Sequence, residues 1–208
     1  MLFSDLGIID FEKAFSLQES TVEAIASGEK DETVYLLEHP PTFTIGRSGR
    51  EENQLANEDF DGGPIHVRRI NRGGDITFHG PGQLVGYPHM DLRKRGRDVH
   101  RYLRKLEEML ILSVAQFGIT AYRRQGLTGI WTEKGKLASI GVGVRRWITM
   151  HGFALNVSTE LRFFELINPC GLRDCQVTSI QEFLNREVPI HKVKDEVIRQ
   201  MNNVFGDG

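Results

Sequence analysis

The sequence predicts a single α+β domain. Short β-branched runs fall into two groups, amphipathic stretches of helical period flank and divide them, and the regular strand-helix alternation of a parallel α/β fold is missing. With 208 residues, 39% hydrophobic and 26% charged, the chain is long enough to bury one sizeable core, and 1–208 reads as one domain without repeat, low-complexity tract or linker.

The elements follow in order. From about Phe11 to Lys30, Phe11, Ala14, Phe15, Leu17, Gln18, Val22, Ile25 and Ala26 recur near helical spacing, and Ser27-Gly28 makes a stop. Thr33 to Leu37, Thr42 to Ile45 and Ile65 to Ile70 are short and β-branched, separated by Pro40-Pro41 and by Asp61-Gly62-Gly63-Pro64, and read as strands. Val99, Leu103, Leu106, Leu110, Val114 and Phe117 mark a second helix that Gly118 ends. Strands resume at Gly129 to Thr132 and Leu137 to Val144, around a Glu133-Lys134-Gly135 turn, and continue from Ile148 to Val157. The last roughly forty residues read as helical, with Pro189 opening a final helix that carries Val193, Val197, Ile198 and Met201 on one face.

Charge and cysteine usage exclude several classes. Lys and Arg number 26 against 28 Asp and Glu, so a net charge of −2 offers no bulk attraction to nucleic acid or membrane. The main local excess is Arg93, Lys94, Arg95, Arg97, Arg101, Arg104 and Lys105, with Asp98 the only acid among them, and Arg145-Arg146 is a smaller one of the same kind. It is equally a solvated helix face or a docking surface for an acidic partner, and the lack of interleaved aromatics beyond Tyr102 argues against a nucleic-acid module. Two cysteines, Cys170 and Cys175, cannot build the disulfide framework of a secreted domain. The N-terminal residues lack a basic region and a long apolar run, Asp5, Asp10 and Glu12 do not suit a transit peptide, and no segment nears the roughly 18 apolar residues of a span. A cytoplasmic protein is the expectation.

The most unusual segment runs from Arg72 to Tyr87, with five glycines in sixteen residues. That density is too high for a packed strand and suits a loop on which a ligand closes, with Arg72 and His79 supplying an anion contact and a polar or titratable group. The bland alternative is a glycine-rich bend between strands with a hydrogen-bonded histidine. Cys170 lies between Asn168-Pro169 and Gly171, a turn context. A free thiol is only about 3% thiolate at pH 7, and a neighbouring ammonium such as that of Lys136 would raise the fraction. Spacing alone does not pair the two. An inert cysteine and a solvated strand-edge lysine satisfy the same residues, and Cys175 completes no CxxC motif.

Arg72 to Tyr87 also matches, position for position, the R-G-G-[D/E]-x-T-[F/Y]-H-x-x-[G/H]-Q-x-[I/V]-x-Y signature of the lipoyl(octanoyl) transferases, and the chain resembles that family. Further similar pieces, in the same order, are Glu38-His39-Pro40-Pro41 through Thr44-Ile45-Gly46, Gly135 to Gly141, His151 to Asn156 and Pro169-Cys170-Gly171-Leu172. The resemblance spans roughly Tyr35 to Phe183, and Leu172, where isoleucine is frequent, is a conservative difference.

The resemblance implies the fold of the biotin/lipoate protein ligase catalytic domain, a mixed or antiparallel sheet with packed helices. It implies transfer of an octanoyl group from octanoyl-acyl carrier protein to a lysine on the lipoyl domain of a 2-oxoacid dehydrogenase subunit or the glycine cleavage H protein, without cofactor or metal. Cys170 would hold the acyl thioester and Lys136 would lower its pKa. Arg72, Gly73, Gly74, Asp75, Ile76, Thr77, Phe78, His79, Ser139, Ile140, Gly141, Gly152, Phe153 and Ala154 would bind substrate. Backbone N–H groups near Gly73-Gly74 or after Pro169 are candidate oxyanion donors, and His79 is a candidate for orienting a loop or Lys136. The alternatives are an ATP-dependent ligase of the same fold and an octanoyl or lipoyl amidotransferase. No heptad or isologous patch contradicts a monomer.

Overall fold

The computed structural model describes residues 1–50, 53, 59–60, 63–64, 66–168 and 175–206. A six-stranded sheet is built from β1 (Leu2–Ile8), β2 (Thr33–Glu38), β8 (Gln83–His89), β11 (Ile148–Asn156), β10 (Gly135–Arg145) and β9 (Gly129–Thr132), in that spatial order. β1 runs parallel to β2 and every other pair is antiparallel, so the sheet is mixed. A second sheet places β3 (Thr42–Ile45) between β6 (His66–Arg69), parallel, and β7 (Ile76–His79), antiparallel. β4 (Asp59–Phe60) and β5 (Gly63–Pro64) form a short ribbon.

Strand alternation divides the main sheet into two faces. Val34, Leu36, Leu84, Phe153 and Leu155 join the larger core with α2 (Val99–Ala115) and α4 (Ile190–Phe205). Tyr35, Leu37, Val85, Tyr87 and Ala154 pack with Ala14 and Leu17 of α1 (Phe11–Ser27). The helices start and stop where their residues dictate: Asp10 accepts from the N–H groups of Glu12 and Lys13, Gly28 closes α1 at φ 83°, and Asp98 accepts from Arg101 N–H. Pro189 caps α4, whose Val193, Val197 and Met201 are fully buried. A 3₁₀ turn at Leu161–Leu166 brings Phe164 into the small sheet's core with Phe43, Ile45, Ile76 and Phe78.

Two expectations need correction, and one strand had no reading in the sequence. Leu2–Ile8 is an edge strand, although no alternation announces it: Ser4 and Asp5 interrupt the apolar residues, and Leu2 and Ile8 stay exposed. The glycine-dense segment is largely strand, holding β7 and the start of β8. A side chain at Gly86 would lie 2.1 Å from the Phe153 ring, so that glycine is a packing site for the aromatic and not a mark of a loop. Among the described residues of the C-terminal region only α3 (Ile180–Leu184) and α4 are helical, because Gln176 to Thr178 instead lie beside β10 at Lys136. Among the described residues no helix is long and apolar enough to cross a membrane.

Candidate active site

A cavity of about 540 Å³ opens where the two sheets, α2 and the Gly126–Thr128 loop meet. Its walls gather segments far apart in sequence: Arg72, Gly73, Gly74, Asp75, Ile76, Thr77 and His79; Lys136, Ser139, Ile140 and Gly141; and Gly152, Phe153 and Ala154. β10 and β11 set the second and third groups side by side, with Ser139 opposite Ala154, Ile140 opposite Phe153 and Gly141 opposite Gly152. The approach is close enough that a Cβ on Gly141 would sit 2.8 Å from the Gly73 carbonyl oxygen, so this position must lack a side chain for the Arg72–Gly74 segment to close the wall. Phe78 is placed elsewhere. Strand alternation turns its ring into the small sheet, stacked 4.5 Å from Phe163 and edge-on to Phe43 and Phe164.

Lys136 is buried at 4% exposure, with its Nζ 5.3 Å from the centroid of Trp131, its cross-strand neighbour on β9. It is therefore not a solvated strand-edge residue. Its backbone N–H donates to the Gln176 carbonyl at 2.8 Å and its carbonyl accepts from Thr178 N–H at 3.0 Å. Cys170, with Pro169, Gly171 and Leu172, lies outside the described residues.

Arg72 and His79 are each held in the wall by buried neighbours. The Arg72 guanidinium donates to the Thr44 carbonyl at 2.5 Å, to Thr44 Oγ1 at 2.9 Å and to the Gly73 carbonyl at 3.0 Å, tying the cavity wall to β3. His79 Nδ1 is 2.8 Å from Gln83 Oε1 and its Nε2 is 3.3 Å from Thr44 Oγ1. Burial foremost, then the nearby His39, pushes its pKa down to about 3, so it is a neutral imidazole near pH 7 and does not titrate there. Gly73 N–H donates to the Val142 carbonyl at 2.8 Å, which takes it out of the set of available oxyanion donors.

Composition and spacing gave no sign of other lining residues: Tyr87, His151, Ser48 and the apolar Val99, Leu103 and Leu127. His151 is held at φ 57°, a left-handed conformation rare for its type, by Asn71 Oδ1 at 2.7 Å from Nε2 and Gln18 Oε1 accepting from its N–H at 2.6 Å. Its place just before Gly152 in a motif was the available signal. Val99 and Leu103 were legible as a helix stripe, but nothing local says that they face a cavity.

Comparison with known proteins places this geometry. The model of the lipoyl protein ligase A/B catalytic domain matches residues 10–202. The chain is 58% identical over 197 residues to an octanoyltransferase of Geobacter metallireducens, covering 95% of this chain and 90% of that protein. It is 52% identical over 207 residues to an octanoyltransferase of Pelobacter propionicus, covering 100% of this chain and 96% of that protein. Among solved structures, lipoate-protein ligase A bound with ATP superposes with a TM-score of 0.76 at 18% identity, over 98% of this chain and 85% of that one. The biotin protein ligase of Aquifex aeolicus gives a TM-score of 0.56 at 9% identity, over 98% of this chain and 68% of that one, a likeness of fold. The octanoyltransferase resemblance read from the signature is borne out: the chain belongs to the lipoyl protein ligase A/B catalytic domain family and is an acyltransferase of the octanoyltransferase kind.

Proposed function

We propose that the protein moves an octanoyl group from octanoyl-acyl carrier protein to the acceptor lysine of lipoyl domains, those of 2-oxoacid dehydrogenase subunits and the glycine cleavage H protein, through a thioester on Cys170. The observation that carries this is the position of Lys136. It lines the cavity from a strand whose backbone is bonded to Gln176 and Thr178, a few residues after Pro169-Cys170-Gly171 in the chain. The octanoyltransferase names of the curated relatives support the acyl group.

The chemistry suits a thiol and an amine. Cys170 gives its proton to Lys136, and the thiolate attacks the donor's thioester carbonyl. The new C–S bond forms as the carrier's breaks, and the departing carrier thiolate takes the proton back from Lys136. One thioester replaces another, so the step is near isoenergetic and needs no ATP. In the second half the acceptor amine attacks the enzyme thioester, passes a proton to Lys136 and leaves as the amide, a downhill step that regenerates the thiolate. Ile140, Val142, Phe153, Val99 and Leu103 supply apolar wall for the acyl chain, and each methylene buried there favours binding by about 0.8 kcal/mol. A volume of 540 Å³ lies within the usual range for a small-molecule site.

Purified enzyme given octanoyl-acyl carrier protein and an unmodified lipoyl domain, without ATP, is expected to octanoylate the domain, and octanoate with ATP is expected to give no product. Transfer only from octanoate with ATP would replace this proposal with a ligase.

A further inference from the structure

Between the glycine-rich wall and Lys136 runs an unbroken chain of buried hydrogen bonds that the reaction as written does not use. His79 Nδ1 faces Gln83 Oε1 at 2.8 Å. Gln83 Nε2 donates to the Phe78 carbonyl at 3.0 Å and to Asn156 Oδ1 at 2.9 Å. Asn156 Nδ2 donates to the Thr178 carbonyl at 3.0 Å, and Thr178 N–H donates to the Lys136 carbonyl at 3.0 Å. Gln83, Asn156 and Thr178 are each at most 3% exposed.

The network fixes its own polarity. Because the Gln83 amide nitrogen serves two acceptors, its oxygen faces His79, which therefore carries its proton on Nδ1. His79 Nε2 is then an acceptor for the Thr44 hydroxyl, whose oxygen already receives Arg72. Flipping the amide of Asn156 would set oxygen against the Thr178 carbonyl and nitrogen against nitrogen. A neutral His79 is needed for this arrangement, and burial keeps it neutral.

Where the chain ends is informative. Val177 meets β10 in a single isolated bridge at Lys136, held by two backbone bonds. Asn156, projecting from the neighbouring strand β11, adds a third bond at Thr178. We propose that Asn156, with its amide oriented by Gln83, is a positioning residue: it clamps Gln176–Thr178 against Lys136 and so sets the separation between Lys136 and the chain leading back to Cys170. This rests on the roles proposed above for Lys136 and Cys170, and deepens them.

The test uses full-length enzyme carrying Cys175→Ala, so that Cys170 is the one thiol, and reads two quantities: the pH midpoint of alkylation by iodoacetamide and the rate of acylation by octanoyl-acyl carrier protein. Asn156→Ala, and separately Gln83→Leu, are expected to raise the midpoint by about one unit toward the free-thiol value of about 8.5 and to slow acylation about 10- to 100-fold with little change in donor KM. Asn156→Asp keeps the acceptor for Gln83 but loses the donor to Thr178, and is expected to behave like Asn156→Ala. Val157→Ala, a buried core change one residue away, lowers the melting temperature without moving the midpoint. Wild-type midpoints and acylation rates in both Asn156→Ala and Gln83→Leu, beside a lowered melting temperature, would overturn the clamp. Lys136→Ala separates the two levels: if it too leaves the midpoint unchanged, the failure lies in the Lys136–Cys170 pairing, and the clamp falls with it.

Discussion

Four histidines are sealed in the fold as neutral imidazoles, and acid should unfold the protein through them. Burial foremost pushes His39 and His89 down to about 4 and His79 and His151 down to about 3, from an ordinary 6.5. The unfolded chain takes up protons below pH 6.5 while the folded chain takes up few until pH 3–4, so stability is fully present above pH 6.5 and is lost as pH falls toward the folded values. At pH 5 each histidine lies about 1.5 units below its unfolded midpoint and costs about 2 kcal/mol, so four acting independently remove about 8 kcal/mol. A domain of ordinary stability holds about 5–15 kcal/mol, so most of it would be gone. Asp91, whose carboxyl the Arg93 guanidinium holds below its ordinary 3.8, adds to the loss only at lower pH. Urea unfolding at intervals from pH 7.5 to 5 measures the slope. It should steepen below pH 6 to nearly four protons taken up on unfolding, and His79→Gln should remove one of them. A slope of less than one proton between pH 6 and 5 would refute the claim that these side chains are buried neutral.

Other changes follow from the cavity and the surface. Gly141→Ala sets a methyl 2.8 Å from the Gly73 carbonyl oxygen and 2.9 Å from Arg72 Cδ, so the wall must retreat. It is expected to cost about 1–3 kcal/mol of stability and at least about tenfold in kcat/KM, and wild-type kcat/KM would contradict the placement of the wall. On the basic face, Arg97 and Arg101 are exposed, and Arg97 lies 5.8 Å over the half-exposed Trp147 ring. The double change Arg97→Glu with Arg101→Glu should slow use of an acidic carrier-bound donor at least about tenfold at low salt and spare a small thioester donor, as electrostatic steering would require. Equal losses with both donors would remove the docking role.

How far the sequence led depends on whether the cause was local. α1, α2 and α4 and strand β3 were readable, because their periods and caps are written within each segment: Asp10 and Gly28 bound α1, and Pro189 opens α4. β1 was not, since its one strand partner is β2, some thirty residues on, and no alternating face accompanies it. The pairing of Gln176–Thr178 with Lys136 left no pattern either, being a single bridge. Arg72 and His79 were legible as special but not as to role. Nothing local names their partners: Arg72 is tied to Thr44, and His79, read as a polar or titratable group, is a neutral imidazole linked to Gln83. The basic cluster likewise divides only once distant partners are known. Arg95 is held by Glu32 at 2.6 Å and by the Phe205 carbonyl at 3.0 Å, and Arg104 by the buried Glu107, so neither belongs to a free docking set. The convergence of Arg72–Thr77, Ser139–Gly141 and Gly152–Ala154 on one cavity was visible through the family signature alone; helix and strand periods do not report which segments meet.

The most direct measurement is the intact mass of the enzyme after mixing with octanoyl-acyl carrier protein, without ATP or acceptor. An adduct of about 126 Da that hydroxylamine removes, absent in Cys170→Ser and slow to form in Lys136→Ala, is the expected result. An unmodified wild-type mass under conditions where the lipoyl domain is nonetheless octanoylated would contradict the covalent route through Cys170.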